Sequence, residues 1–213
     1  MTAIGLRSVM QNVLAHAWWA SSVPVVIGRD DASVSDERLM LDYRGGNAEA
    51  FHKLYRRHCD RLHRFVLRIA GSAADADEIF QEVWTAVIRG RERYEANARF
   101  STYLYAIAHR RAVDRLRTQW RSGGSIEPDL AHEMIEPVAS GPSEIVWRAG
   151  AGEALMVAIA TLPVAQREAF LLQAEGGLTL DEIAEATATN RETVKSRLRY
   201  ANRRLREALE SWR

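Results

Sequence analysis

Cysteine occurs once in the 213 residues, at Cys59, so no disulfide can form within the chain. Proline is nearly as scarce, with five residues, and none interrupts residues 36–121. Alternation of apolar and polar residues, the signature of a half-buried strand, is almost absent. No run of about 20 apolar residues is present, so no spanning helix and no direct membrane insertion are expected. Residues 1–33 contain Trp18, Trp19 and an apolar run from Val23 to Ile27. They lack the basic start and long apolar stretch of a secretion signal. They read as an N-terminal extension of undecided order, and the expected location is the cytoplasm. There is no phosphate-binding glycine loop, no His-Glu-x-x-His pair and no Gly-x-Ser-x-Gly elbow, so neither catalytic residues nor a cofactor are expected. Cys59 lies near His52, His58 and His63. Their spacing matches no strong zinc pattern, and Cys59 falls among Phe51, Leu54, Tyr55, Leu62 and Val66, spaced like the buried stripe of a helix. A structural cysteine, not a metal site, is the expectation.

The charge is nearly balanced, 29 basic residues against 28 acidic ones, but unevenly placed. From Arg89 to Arg121 nine arginines face three acids, and from Asn190 to Arg213 seven arginines and one lysine face three. Between them, residues 122–185 carry eleven acids against Arg148 and Arg167. Two basic blocks held apart by an acidic one suit two nucleic-acid-facing surfaces, with chance clustering in an Arg-rich chain as the plain alternative.

The pattern is all-α. Phe51, Leu54, Tyr55, Leu62, Phe65, Val66 and Ile69 recur at three and four, as on one helix face. Gly71 and Ser72 break that helix. A second one is predicted from about Asp75, carrying Ile79, Phe80, Val83, Trp84 and Val87, with Asp75, Asp77 and Glu78 at its positive end. A third is predicted from about Ser101 to Trp120, with Leu104, Ile107, Ala108 and Leu116 inward. Residues 122–148 have the Gly, Ser, Pro and acidic composition of a flexible linker. Helical periodicity resumes near Ser143 and predicts four short helices, jointed at Leu162–Pro163.

Thr179-Leu-Asp-Glu182 has the form of a capping box. A few residues later Thr189 or Asn190 caps another helix, whose stripe is Val194, Leu198, Ala201 and Leu205. The pair reads as a helix-turn-helix. Asn190, Arg191, Glu192, Lys195, Ser196, Arg199 and Arg203 are its candidate DNA contacts. Arginine can fork onto a guanine edge or hold a phosphate, and lysine acts more as a point charge. A merely solubilising terminal helix is the alternative.

The segment Leu178-Thr-Leu-Asp-Glu-Ile-Ala-Glu with Thr193-Val-Lys-Ser-Arg197 resembles the last domain of bacterial sigma factors, in particular the extracytoplasmic-function class. Leu162-Pro163 and Arg167-Glu-Ala-Phe-Leu-Leu172 are similar to the helix preceding that turn. Asp77-Glu-Ile-Phe-Gln-Glu-Val-Trp84 resembles the family's polymerase-binding helix. Phe100-Ser-Thr-Tyr-Leu-Tyr-Ala-Ile-Ala108, with Asp114 and Arg117, resembles its promoter-opening segment. The resemblance implies domains at 34–121 and 149–213 joined by the linker 122–148. It assigns core polymerase binding to Asp77, Glu78, Gln81 and Glu82. It assigns capture and melting of the −10 element to Arg99, Tyr103, His109, Arg110, Arg111 and Arg115, and duplex recognition of the −35 element to the helix-turn-helix residues. It further implies a chain monomeric when free and controlled by an anti-sigma factor. Tyr103 stands where the family usually has Trp, Arg110 replaces a frequent Asn, Glu78 a frequent Asp, and Ala188 and Glu192 occupy positions often held by Gly. Two other readings remain open here: an autonomous helix-turn-helix regulator, which would need a dimer surface or sensor domain, and a sigma-like mimic that sequesters an anti-sigma factor.

Overall fold

The computed structural model describes residues 34–121 and 154–210. The N-terminal extension 1–33, the linker 122–148 and the helical restart near Ser143 lie outside the described residues. Within them every regular element is helical.

Side-chain caps set the boundaries of the first domain. Ser35 accepts the Arg38 N–H at the start of α1 (Asp36–Arg44). Asn47 accepts the N–H groups of Glu49 and Ala50 at the start of α2 (Ala48–Ala70), satisfying donors a new helix leaves orphaned. Gly71 ends α2 in the left-handed region, φ 77°, which glycine enters without a Cβ penalty. Ser72 is more than a breaker: its Oγ accepts the Asp75 N–H at 3.2 Å, so α3 (Ala73–Gly90) begins two residues earlier than expected. After a 3₁₀ turn at Arg91–Arg93 the chain enters α4 (Phe100–Arg121). The first N–H of α4 donates to Glu37 Oε1 at 2.8 Å, so a carboxylate on α1 caps a helix 63 residues away.

The predicted stripe of α2 is buried, from Phe51 and Leu54 through Leu62, Phe65, Val66 and Ile69. It meets Ile79, Val83, Trp84 and Val87 of α3 and Leu104, Ala108 and Leu116 of α4. Trp84 is fully enclosed, edge-on to Phe51 at 5.7 Å and tilted against Tyr55 at 4.9 Å. Ile107, expected inside, is only partly buried. Cys59 corrects the expectation of a buried cysteine, because it sits at the edge of the stripe and is only partly covered. Partial burial and the neighbouring Asp60 carboxylate push its thiol up to about 12. The nearby histidines have other partners: His58 meets Asp36 at 2.7 Å and His63 meets Asp77 at 3.2 Å.

The second domain comprises a helical stretch 154–160 (α5), α6 (Val164–Ala174), α7 (Leu180–Ala186) and α8 (Arg191–Glu210). Leu162 is buried at the α5–α6 joint, and Pro163 opens α6, where its missing N–H costs nothing. The last helix, with 20 residues, exceeds the short length expected. The capping box forms as predicted: Thr179 Oγ1 accepts the Glu182 N–H at 3.3 Å and Glu182 Oε2 accepts the Thr179 N–H at 2.7 Å. α7 ends in a doubly hydrogen-bonded reversal, with Thr189 N–H to the Ala184 carbonyl at 2.9 Å and Ala188 N–H to that of Glu185 at 3.2 Å. Ala188 occupies its left-handed position with φ 51°, where a Cβ is strained. Ala188→Gly is therefore expected to stabilise the chain by about 1 kcal/mol, measured as a higher urea midpoint with an unchanged slope.

Candidate nucleic-acid interface

Helix α8 presents its stripe of Val194, Leu198, Ala201 and Leu205 to α6 and α7, which leaves the opposite face in solvent. Asn190 is the cap: its Oδ1 accepts the Thr193 N–H at 2.8 Å, so that oxygen is committed while the amide nitrogen faces outward from the helix start. Arg191 lies 3.5 Å from Asp181, and Lys195 lies 3.7 Å from Glu192, both as exposed pairs that solvent screens. Ser196 is partly buried between them and the core. Arg199 and Arg203 are exposed, and their guanidiniums stack over the Tyr200 ring at 5.0 and 5.3 Å. Tyr200 was not among the sequence candidates. Its signal was faint, an aromatic one residue off the stripe of a basic helix, yet it is 39% exposed.

The candidates on α4 do not converge. Successive residues on a helix turn by about 100°, so positions 102, 105 and 109 share one side while 111 and 115 share another. Tyr103 lies half-buried on a shelf formed by Tyr94 at 5.3 Å and Phe100 at 6.2 Å. A Cβ on Gly90 would stand only 2.8 Å from its hydroxyl. Arg110 and Arg111 are exposed. Arg111 Nη1 lies 3.7 Å from Glu82. Arg115 donates to Asp75 Oδ1 at 2.7 Å and also to Glu78, so it turns toward α3. His109 is buried with its Nε2 3.5 Å from Glu168 of α6.

On α3, Asp77, Glu78 and Glu82 are exposed and Gln81 is partly so, in one acidic row above the buried Ile79 and Val83. Each acid in that row meets a positive or protonatable group: His63, Arg115 and Arg111 respectively.

The two domains touch along α2 and α4. Tyr105, fully buried, donates its hydroxyl to the Glu175 carbonyl at 3.0 Å. The Glu175 carboxylate receives Arg64 Nε at 3.2 Å and the Arg68 guanidinium. Thr102 donates to Glu182 Oε1 at 2.6 Å, and Arg99 donates to the Gly177 carbonyl at 3.1 Å. Burial raises the Glu182 carboxyl, but the hydrogen bonds from Thr102 and Thr179, with Arg99 nearby, hold it below its ordinary value.

Comparison with known proteins gives two ordered matches. Residues 54–122 fit the family model Sigma-70 region 2, and residues 152–205 fit Sigma-70, region 4. The ECF RNA polymerase sigma factor SigK of Mycobacterium ulcerans is 31% identical over 180 residues, covering 81% of this chain and 92% of that protein. SigM of Mycobacterium tuberculosis is 30% identical over 175 residues, covering 82% of this chain and 85% of its own length. Among solved structures, the fold is similar to the sigma factor RpoE of Bartonella quintana, determined with the anti-sigma factor NepR. That likeness has TM-score 0.62 and 19% identity, over 75% of this chain and 96% of that one. CnrH, determined with the cytosolic domain of CnrY, gives TM-score 0.59 at 19% identity, over 83% and 97%.

The Arg115 contacts are partly exposed. A double-mutant cycle of Arg115→Ala with Glu78→Ala, read by urea denaturation, is expected to give a coupling of only about 0.5 kcal/mol. A value several times larger would show that the pair is a structural anchor.

Proposed function

The chain belongs to the extracytoplasmic-function class of RNA polymerase sigma factors, and from that premise we propose how its residues share the work of promoter opening. It binds core RNA polymerase and directs promoter-specific initiation. The observation that carries this function is the occurrence of both sigma regions in order on one chain. The boundaries of the division of labour are 34–121 for the first domain, 149–213 for the second, 122–148 for the linker, and 1–33 for an extension.

In this reading α8 enters the duplex at the −35 element. Asn190, Arg191 and Glu192 meet base edges at the helix start. Lys195, Ser196, Arg199 and Arg203 hold the phosphates that fix its register. Tyr200 belongs to the same surface, because its ring holds two guanidiniums at defined positions before any phosphate arrives. Arg99, Tyr103 and Arg110 track the melted −10 strand. Tyr103 supplies the stacking ring and the arginines supply charge. His109 joins that surface when the second domain moves away. Arg111 and Arg115, which hold the acidic row of α3, act first by orienting that row and only then as DNA contacts. Asp77, Glu78, Gln81 and Glu82 dock the chain on polymerase. Strand opening draws on binding energy alone, so no catalytic residue and no cofactor belong to this protein. It acts in the cytoplasm as a monomer, under an anti-sigma factor. An autonomous helix-turn-helix regulator would protect promoter DNA by itself, whereas this chain protects it only with polymerase.

Titration of the labelled chain onto core polymerase is expected to give saturable 1:1 binding that a primary sigma factor displaces. Combined Glu78→Lys and Glu82→Lys should weaken it about tenfold with helicity retained. Unchanged affinity would remove that row from the interface. Arg199→Ala in the assembled holoenzyme is expected to cost about 1–3 kcal/mol at the −35 element if the guanidinium reads a base. A phosphate role instead lowers affinity for every sequence and flattens the salt dependence. Tyr200→Ala should follow Arg199→Ala in kind, and Tyr200→Phe should not.

A further inference from the structure

Glu168, Glu175 and Glu182 lie seven residues apart, and each reaches a different part of the first domain. Glu168, on α6, stands beside His109 of α4. Glu175, just past α6, is 8% exposed and takes Arg64 through both carboxylate oxygens, at 3.4 and 3.2 Å, together with Arg68, both from α2. Glu182, on α7, accepts from Thr102 and lies 3.7 Å from Arg99. The backbone adds two further contacts, from Tyr105 to the Glu175 carbonyl and from Arg99 to the Gly177 carbonyl. Gly176 approaches so closely that a Cβ there would stand 3.1 Å from Tyr105 Cγ.

Carboxylates that take guanidinium forks and hydroxyl donors present the chemistry of a nucleic-acid backbone, whose phosphates use the same donors. We propose that these three glutamates form an acidic latch, by which the second domain occupies the strand-facing surface of α2 and α4 and holds the free chain in a self-inhibited, closed state. The inference rests on the proposed strand-facing role of α4.

The interface is built to release. Its centre is a polar cavity of about 250 Å³ lined by Asp36, His58, Arg61, Arg99, Tyr105 and Glu175 rather than a filled apolar seam. Contacts between domains of this polar kind resemble transient interfaces. On opening, Glu175 and its two arginines return to water, so none is left as a buried unpaired charge. Both occupants of the basic surface, carboxylates from within and phosphates from outside, compete for the same arginines, so latch and strand exclude one another. Salt loosens the partly exposed pairs and thereby favours opening, while it weakens strand binding directly.

The test uses the full chain with Glu168→Gln, Glu175→Gln and Glu182→Gln combined. Glutamine at 182 retains the capping box. Glu185→Gln, an exposed residue of α7, makes a control of the same charge type. Spin labels at Arg56→Cys and Asn202→Cys in a Cys59→Ser background report the interdomain distance. Anisotropy of a labelled random-sequence single-stranded oligodeoxynucleotide at fixed salt reports the surface. The unlatched variant is expected to show a broad, lengthened distance distribution and about tenfold tighter oligonucleotide binding, the scale of an ordinary coupling between sites. The Glu185→Gln control should show neither. An unchanged short distance in the variant overturns the latch itself. Opening without any gain in oligonucleotide affinity overturns the proposal through its other premise, that α4 faces the strand. Glu175→Gln alone, checked by circular dichroism, provides the same comparison at smaller amplitude should the triple variant lose helicity.

Discussion

Helix α4 is packed on three sides at once, and the rest of the molecule is arranged around that constraint. One side, with Leu104, Ala108 and Leu116, closes the core of the first domain. Another, through Arg111 and Arg115, meets the acids of α3. The third, with Thr102, Tyr105 and His109, lies under the second domain. A rigid helix cannot turn one side without turning the others, so the polymerase-facing row, the strand-facing residues and the interdomain seam share a single alignment. The Glu37 cap on its first turn fixes where that alignment begins.

Charge is organised by the same geometry. The basic block of residues 89–121 counts as a large positive surface when read along the chain, yet several of its guanidiniums already have carboxylates beside them. The block at the C-terminus differs, because its pairs are with near neighbours on the same helix or the adjoining turn, and they stay exposed. The second block thus remains open to a rigid duplex in the conformation seen here. The first is partly covered, which suits a partner that exists only after strands separate.

Periodicity and capping carried most of the fold into view. The stripe of α2, the capping box at Thr179 and the buried row of α8 are local patterns, each confined to a few turns, and a local pattern is what a sequence displays openly. Cys59 strayed because it lies beside the stripe rather than on it. The start of α3 was misjudged by two residues because Ser72 ends one pattern while capping the next. The candidate site was legible as a set of residues but not as a geometry. Nothing in the spacing of α4 tells which side will be covered, because the covering groups, Glu175 and Gly177, come from more than 70 residues away. Tyr200 stayed hidden for the converse reason. Its neighbours gave it a role through stacking, which has no period.

The close approach of Gly90 to the Tyr103 hydroxyl ties two positions on different helices to a common length. The ring at 103 extends from α4 until it stops against the bare backbone at the end of α3. Any atom added at one end must be removed at the other. Size at 90 and reach at 103 are therefore one inherited quantity, not two. A chain of this fold that carried a larger ring at 103 would have to widen the shelf between the helices, and with it the angle at which the polymerase-facing row meets the melted strand.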